Sequence, residues 1–150
     1  MTPEALAALH ARCFDDTPAP WSARAFSLLL ALPGARLVTR PGGFAIAQIA
    51  GPESELLTIA VEPGERRRGH GRDLLVSLMT SLETEGAREI FLEVAETNLP
   101  ARALYAALGF TERGRRPRYY RRREAPPIDA LVLAKDLGEP GDARGTASQK

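Results

Sequence analysis

The chain is 150 residues long, 44% hydrophobic and 26% charged, with 20 basic against 19 acidic residues. That length supports one domain with a real core rather than two, and a net charge of +1 supplies no global field to recruit nucleic acid or an anionic membrane. A lone cysteine, Cys13, excludes an intrachain disulfide and a cysteine-cluster metal site; no apolar run reaches the roughly 18 residues of a membrane span, and Met1 runs straight into Thr2-Pro3-Glu4 without a leader pattern, so a soluble cytoplasmic protein is expected.

Leu6, Leu9 and Cys13 recur at helical spacing behind Thr2-Pro3-Glu4, where Thr2 can cap and Pro3 suits the first turn, which predicts a helix over 3–13. Ser22 then precedes Ala25, Phe26, Leu29 and Leu30, a second helical pattern that Pro33-Gly34 ends. Residues 15–21 read as a proline-containing loop. Two strands are predicted at 37–39 and 44–49, joined by the turn chemistry of Pro41-Gly42-Gly43, and residues 51–54 form the next turn. Residues 56–61 are apolar apart from Thr58, the pattern of a central strand.

Residues 66–72, Arg-Arg-Arg-Gly-His-Gly-Arg, lie between that strand and an amphipathic helix marked by Leu74, Leu75, Leu78, Met79 and Leu82 and closed by Gly86. A basic, glycine-rich turn opening a helix is an anion cradle. Gly69 and Gly71 allow close backbone approach, while the free N–H groups and the positive helix end face the ligand, a pyrophosphate being the natural occupant. The turn lacks the Lys-Ser/Thr of the P-loop and the third glycine of the dinucleotide fingerprint.

A further strand is predicted at 90–95. Thr97, Asn98 and Pro100 then open a helix with Ala101, Leu104, Tyr105 and Leu108 on its apolar side, which Gly109 ends, Phe110 folding back onto it. A last hairpin covers 110–120 and 128–134, and residues 138–150, without apolar periodicity, are expected to be a disordered tail behind a domain over 1–137. Glu93 interrupts an apolar strand. Either it points into a cleft, where partial burial would raise its pKa, or it reaches solvent where the strand emerges. Tyr105 is equally two-sided: a core tyrosine with its hydroxyl at the edge, or a proton donor.

The order of strand, glycine turn, helix, Glu93 strand, then Asn98-x-x-Ala101-x-x-Leu104-Tyr105 and Leu108-Gly109-Phe110, resembles the GNAT acetyltransferases, whose turn reads Arg/Gln-x-x-Gly-x-Gly/Ala. Leu57-Thr58-Ile59-Ala60-Val61-Glu62-Pro63, Leu92-Glu93-Val94, Tyr119-Tyr120 and Trp21-Ser22 are similar to members acting on the N-terminus of a ribosomal protein. The resemblance covers about residues 3–137 and implies an α/β fold, a mixed sheet of six or seven strands with about four helices on its faces. It implies acetyl-CoA as co-substrate, bound by backbone groups of Ile59, Ala60 and Val61, by Arg66, Arg67, Arg68, Gly69, His70, Gly71 and Arg72 around the pyrophosphate, and by Asn98. Glu93 matches the general base, Tyr105 the general acid, the Val61 N–H an oxyanion donor, and Tyr119 and Tyr120 the acceptor site. No metal is called for. An amine arrives as ammonium and must lose a proton, while the departing thiolate gains one, which suits both residue types.

The implied function is acetylation of a protein N-terminal α-amine. The same cofactor site would serve a small-molecule amine or a lysine. Seven arginines within residues 113–123, interleaved with Tyr119-Tyr120, also read as a nucleic-acid or ribosome-binding surface, although 18 of the 20 basic residues are arginine, so part of the run is compositional. If Arg118 and Arg121 flank the acceptor cleft, acidic positions downstream of the acceptor amine are favoured. His70 is expected to offer only its N–H, Cys13 to pack in the core, and His10 to be a partly exposed helix residue. The sequence carries no signal for an oligomeric state.

Overall fold

A computed structural model describes residues 1–138; apart from Gly138, the expected tail lies outside the described residues. Four helices and six strands follow in the order α1 (Pro3–Cys13), α2 (Ala23–Leu30), β1 (Ala35–Arg40), β2 (Gly43–Ala50), β3 (Glu53–Val61), α3 (His70–Thr84), β4 (Glu89–Ala95), α4 (Leu99–Ala107), β5 (Thr111–Tyr120) and β6 (Ile128–Asp136), with a short 3₁₀ turn at Pro63–Glu65. The caps act as expected. Thr2 Oγ1 accepts from the Ala5 N–H and Ser22 Oγ from the Ala25 N–H, each at 3.1 Å, satisfying donors that the first helical turn leaves open. Gly109, at φ 94°, lets the Phe110 N–H return to the Tyr105 carbonyl at 3.0 Å, with the two rings 5.7 Å apart.

The strands form one mixed sheet in the order β1-β2-β3-β4-β6-β5, with β3 and β4 its parallel pair. Each face carries its own core. On one side α1 and α2 bury Leu6, Leu9 and Phe26 against Phe44, Ile46 and Ala60. On the other, α3 and α4 bury Leu74, Leu75, Leu78 and Tyr105 against Ala45, Ala47, Leu56 and Leu92. Complete burial of Phe26 and Phe44 contributes about 1.5–3 kcal/mol each, so the α1–α2 layer is held by packing well beyond what its caps supply.

Two of the local expectations change. Glu53 and Ser54 belong to β3 rather than to the preceding turn, because Ser54 Oγ donates to the Glu89 carbonyl at 2.8 Å and Glu53 pairs with Glu89 across the parallel strands. His10 is fully buried, not partly exposed. Its ring stacks on Phe14 and Trp21, with centroids 4.4 and 5.1 Å away, and its Nδ1 accepts the Trp21 N–H at 3.1 Å. Burial pushes the ring down to about 4, so it is neutral near pH 7 and pins the α1–α2 loop as an acceptor.

Candidate active site

The parallel pairing of β3 and β4 stops after three positions, Glu53↔Glu89, Ser54↔Ile90 and Glu55↔Phe91. The cause lies in β3. Its register with β2 passes from Ile46↔Thr58 to Ala47↔Leu56, leaving Leu57 as an extra residue, and such a bulge bends the strand that carries it. Beyond Glu55 the two strands splay and a cleft opens between them, lined by Leu57, Ile59, Glu93, Val94, Tyr105 and Tyr120 and flanked by Phe14 and Pro18 from the α1–α2 loop.

The splay leaves one edge of β3 without a strand. The Glu62 backbone N–H donates to the Gly42 carbonyl at 2.6 Å on the β2 side, and strand alternation therefore turns the backbone groups of Ile59 and Val61 toward the cleft and those of Ala60 toward Phe44. The Val61 carbonyl is already engaged, receiving Cys13 Sγ at 3.3 Å and Arg66 Nε at 3.2 Å. Cys13 thus packs where α1 meets the end of β3, which the two-pronged contact of Arg12 with Glu62, at 2.7 Å for both bonds, also secures.

At the end of β3 the chain turns through two left-handed residues, Arg67 at φ 67° and Gly69 at φ 82°, and enters α3. The first helical bond runs from Asp73 N to Gly69 O at 2.9 Å, so the N–H groups of His70, Gly71 and Arg72 have no intrahelical partner. A Cβ on Gly69 would meet nothing within 4 Å, whereas one on Gly71 would lie 3.4 Å from Leu104. Arg68 and His70 each stand 3.5 Å from Glu65. Among the described residues, the side chains of Arg67 and Arg72 have no partner. Asn98 uses Oδ1 to cap α4, accepting the Ala101 N–H at 3.2 Å, and lies on the cleft wall.

Tyr105 projects from α4 into the same cleft and is buried. Burial, and secondarily Tyr120, hold its phenol well above the ordinary tyrosine range, so it carries its proton at every working pH. Tyr120 is pushed up to about 12 by burial and by the Glu93 carboxylate. Tyr119 is half exposed, its phenol also raised, chiefly by Glu93. Three residues of β5 stand against one of β6 between the pairs Arg116↔Ala130 and Tyr120↔Ile128, two more than regular pairing needs, and Arg118 there adopts φ 54°.

Glu93 is not the isolated carboxylate that its strand suggested. It is ion-paired with Arg116, whose guanidinium also lies 5.7 Å from the centre of the Tyr119 ring. Sequence reasoning passed over Glu55, which the last β3–β4 pair sets opposite Phe91, two residues before Glu93 and close enough to feel its charge. Burial and Glu93 push the Glu55 carboxyl above its ordinary range while Arg116 pulls it down. The signal was available in an acidic residue heading an apolar run.

The arginine run is largely neutralised. Arg113 pairs with Glu89 and Asp136, Arg115 with Glu96 and Asp129, Arg116 with Glu93, and Arg123 with Asp15, while Arg122 donates to the Pro126 carbonyl. Among the described residues only the side chains of Arg118 and Arg121 in this run lack a partner.

The sheet thus opens at its parallel pair, with a carboxylate and a buried phenol in the walls of the opening and a glycine turn at the end of β3. The chain belongs to the GNAT acetyltransferase family, which residues 6–110 match. It is 37% identical over 145 residues to the N-alpha-acetyltransferase RimI of Mycobacterium tuberculosis, covering 89% of this chain and 86% of that one. To the ribosomal protein bS18-alanine N-acetyltransferase of Salmonella typhimurium it is 43% identical over 95 residues, a match that spans 63% of this chain and 64% of the relative, slightly less than two thirds of it. The crystal structure of the corresponding S18-alanine N-acetyltransferase from Escherichia coli superposes with a TM-score of 0.81 at 32% identity, over 93% of this chain and 90% of the other. Among the described residues no helix is long and apolar enough to cross a membrane.

Proposed function

We propose that this chain transfers acetyl from acetyl-CoA directly to the α-amino group of a protein N-terminus, a ribosomal protein being the acceptor class that its relatives' names indicate, and that it does so in the cytoplasm. The observation carrying the proposal is the splay of β3 from β4, which opens a cleft holding Glu93 and Tyr105 alongside the strand whose end leads into the glycine turn before α3. The cradle fits acetyl-CoA. Free N–H groups at the start of α3, the open space over Gly69 and the unpaired Arg67 and Arg72 suit a pyrophosphate, and the free edge at Ile59 and Val61 suits an extended amide-bearing arm.

Acetyl-CoA supplies a thioester carbon for the acceptor nitrogen to attack. Glu93 takes the proton that the ammonium must lose, directly or through one water, and Tyr105 holds a proton toward the leaving sulfur, a role its raised phenol fits because it is never ionised beforehand. The Val61 N–H, on the cleft edge of β3, faces the developing oxyanion. An α-amine, with an unperturbed pKa of about 7.7–8.0 against about 10.4 for lysine, asks less of a carboxylate base.

The paired arginines favour an enzyme over a nucleic-acid module, since a phosphate-binding face needs cations not already held by carboxylates. They also remove most of the repulsion that a basic acceptor would otherwise meet on β5. Mass spectrometry of protein N-termini in cells with and without the gene tests the reading: loss of acetylation at one or a few N-termini is expected, and loss confined to lysine side chains contradicts it.

A further inference from the structure

The acceptor's nitrogen has to reach Glu93, yet that carboxylate is already covered by a cation. Arg116 extends from edge strand β5, where it pairs with Ala130, across β6 to Glu93 on β4, where Glu93 pairs with Val132. Around the guanidinium stand the Glu93 carboxylate, the Tyr119 ring 5.7 Å away and, within electrostatic reach, Glu55, which pairs with Phe91 two residues before Glu93. Two carboxylates and an aromatic face are the partners an ammonium takes. The neighbouring pairs differ: among the described residues, Arg113 with Glu89 and Asp136, and Arg115 with Glu96 and Asp129, have no aromatic ring set against the guanidinium, and none of their carboxylates lines the cleft as Glu93 does.

The pair is also built to open. Glu93 is held in the strand with its side chain 17% exposed, whereas the Arg116 side chain is 56% exposed on a solvent-facing strand and can swing outward, giving up its contact with the Tyr119 ring. Opening removes the cation that acts on both Glu93 and Glu55, which favours a second cation in the vacated place.

We propose that Arg116 occupies the acceptor's ammonium seat in the free protein, that Glu55, Glu93 and Tyr119 form that seat, and that the acceptor displaces the guanidinium on binding. The inference rests on the acetyl-transfer reading above and adds the subsite that receives the amine. Arg116 acts as a competitor and Glu55 as a positioning residue, neither being asked to move a proton.

The test is calorimetric titration of the full chain, with CoA present, using a peptide bearing a free α-amine and the same peptide with that amine acetylated. Arg116→Met is expected to tighten the free-amine peptide by about three- to tenfold, the scale of one partly exposed ion pair, and to leave the capped peptide unchanged. Glu55→Gln is expected to weaken only the free-amine peptide by a similar factor, and in turnover both effects fall on KM rather than kcat. Weaker or unchanged binding of the free amine to Arg116→Met, or a loss in kcat at constant KM, would mean that the guanidinium orients Glu93 and would overturn the proposal; so would a Glu55→Gln variant that treats the two peptides as the wild type does. If the wild type acetylates only lysine side chains, the N-terminal reading fails separately, and the same comparison run on a lysine peptide still decides the seat.

Discussion

Glu93→Gln is expected to lower kcat by about 10²–10⁴-fold, with acetyl-CoA affinity retained. Glutamine keeps the shape of the side chain, but it cannot take a proton from the ammonium. The substitution also releases Arg116, so the fold loses only a partly exposed pair of the kind worth at most about 1 kcal/mol, and the melting temperature should barely move. Tyr105→Phe should fall in the same range by the opposite route, since it removes the proton offered to the sulfur while keeping the ring that packs on Phe110. Measuring kcat and KM for both co-substrates separates the cases: wild-type kcat in Glu93→Gln would make that residue structural, and a Tyr105→Phe defect confined to acetyl-CoA affinity would make its hydroxyl a binding group.

The cradle carries the other large effect. Gly69→Val is expected to weaken acetyl-CoA by on the order of 10²-fold or more, because two requirements are broken at once. The φ of +82° is strained for a β-branched residue, and the new side chain would project into space that no described protein atom fills, directly before the free N–H groups of α3. Since nothing within 4 Å is displaced, the domain should still fold, at a modest cost in melting temperature from the strained turn. Titration of acetyl-CoA by calorimetry checks this, and affinity equal to wild type in a folded Gly69→Val protein would place the cofactor elsewhere. Gly71→Val is the less clean probe, because its Cβ already approaches Leu104 at 3.4 Å and packing would change with binding.

The local signals in the sequence were sufficient for most of the framework. Thr2 and Ser22 start their helices where side-chain caps require, Gly109 closes α4, and the glycine turn enters α3 at His70. These features depend on residues three or four apart, and the chain states them directly. What was not legible depends on pairing across the sheet. The Leu57 bulge exists only relative to β2, and Glu55 becomes a neighbour of Glu93 only once β3 lies parallel to β4. Arg116 looked like one of seven solvated arginines until the β5–β6–β4 order brought it to a carboxylate 23 residues away in sequence. His10 is the same lesson at short range: its helical position suggested partial exposure, but Phe14, Trp21 and Phe26 enclose it once α2 folds back on α1.

The most direct test of the account is incubation of the purified chain with acetyl-CoA and two peptides of the same sequence, one with a free α-amine and no lysine, the other with the α-amine blocked and a lysine added, followed by tandem mass spectrometry to locate the acetyl group. Acetylation of the α-nitrogen in the first peptide, and little or none on the second, is the expected result. Acetyl groups found only on the lysine of the blocked peptide, or on neither while acetyl-CoA demonstrably binds, would contradict N-terminal acetyl transfer as the function of this site.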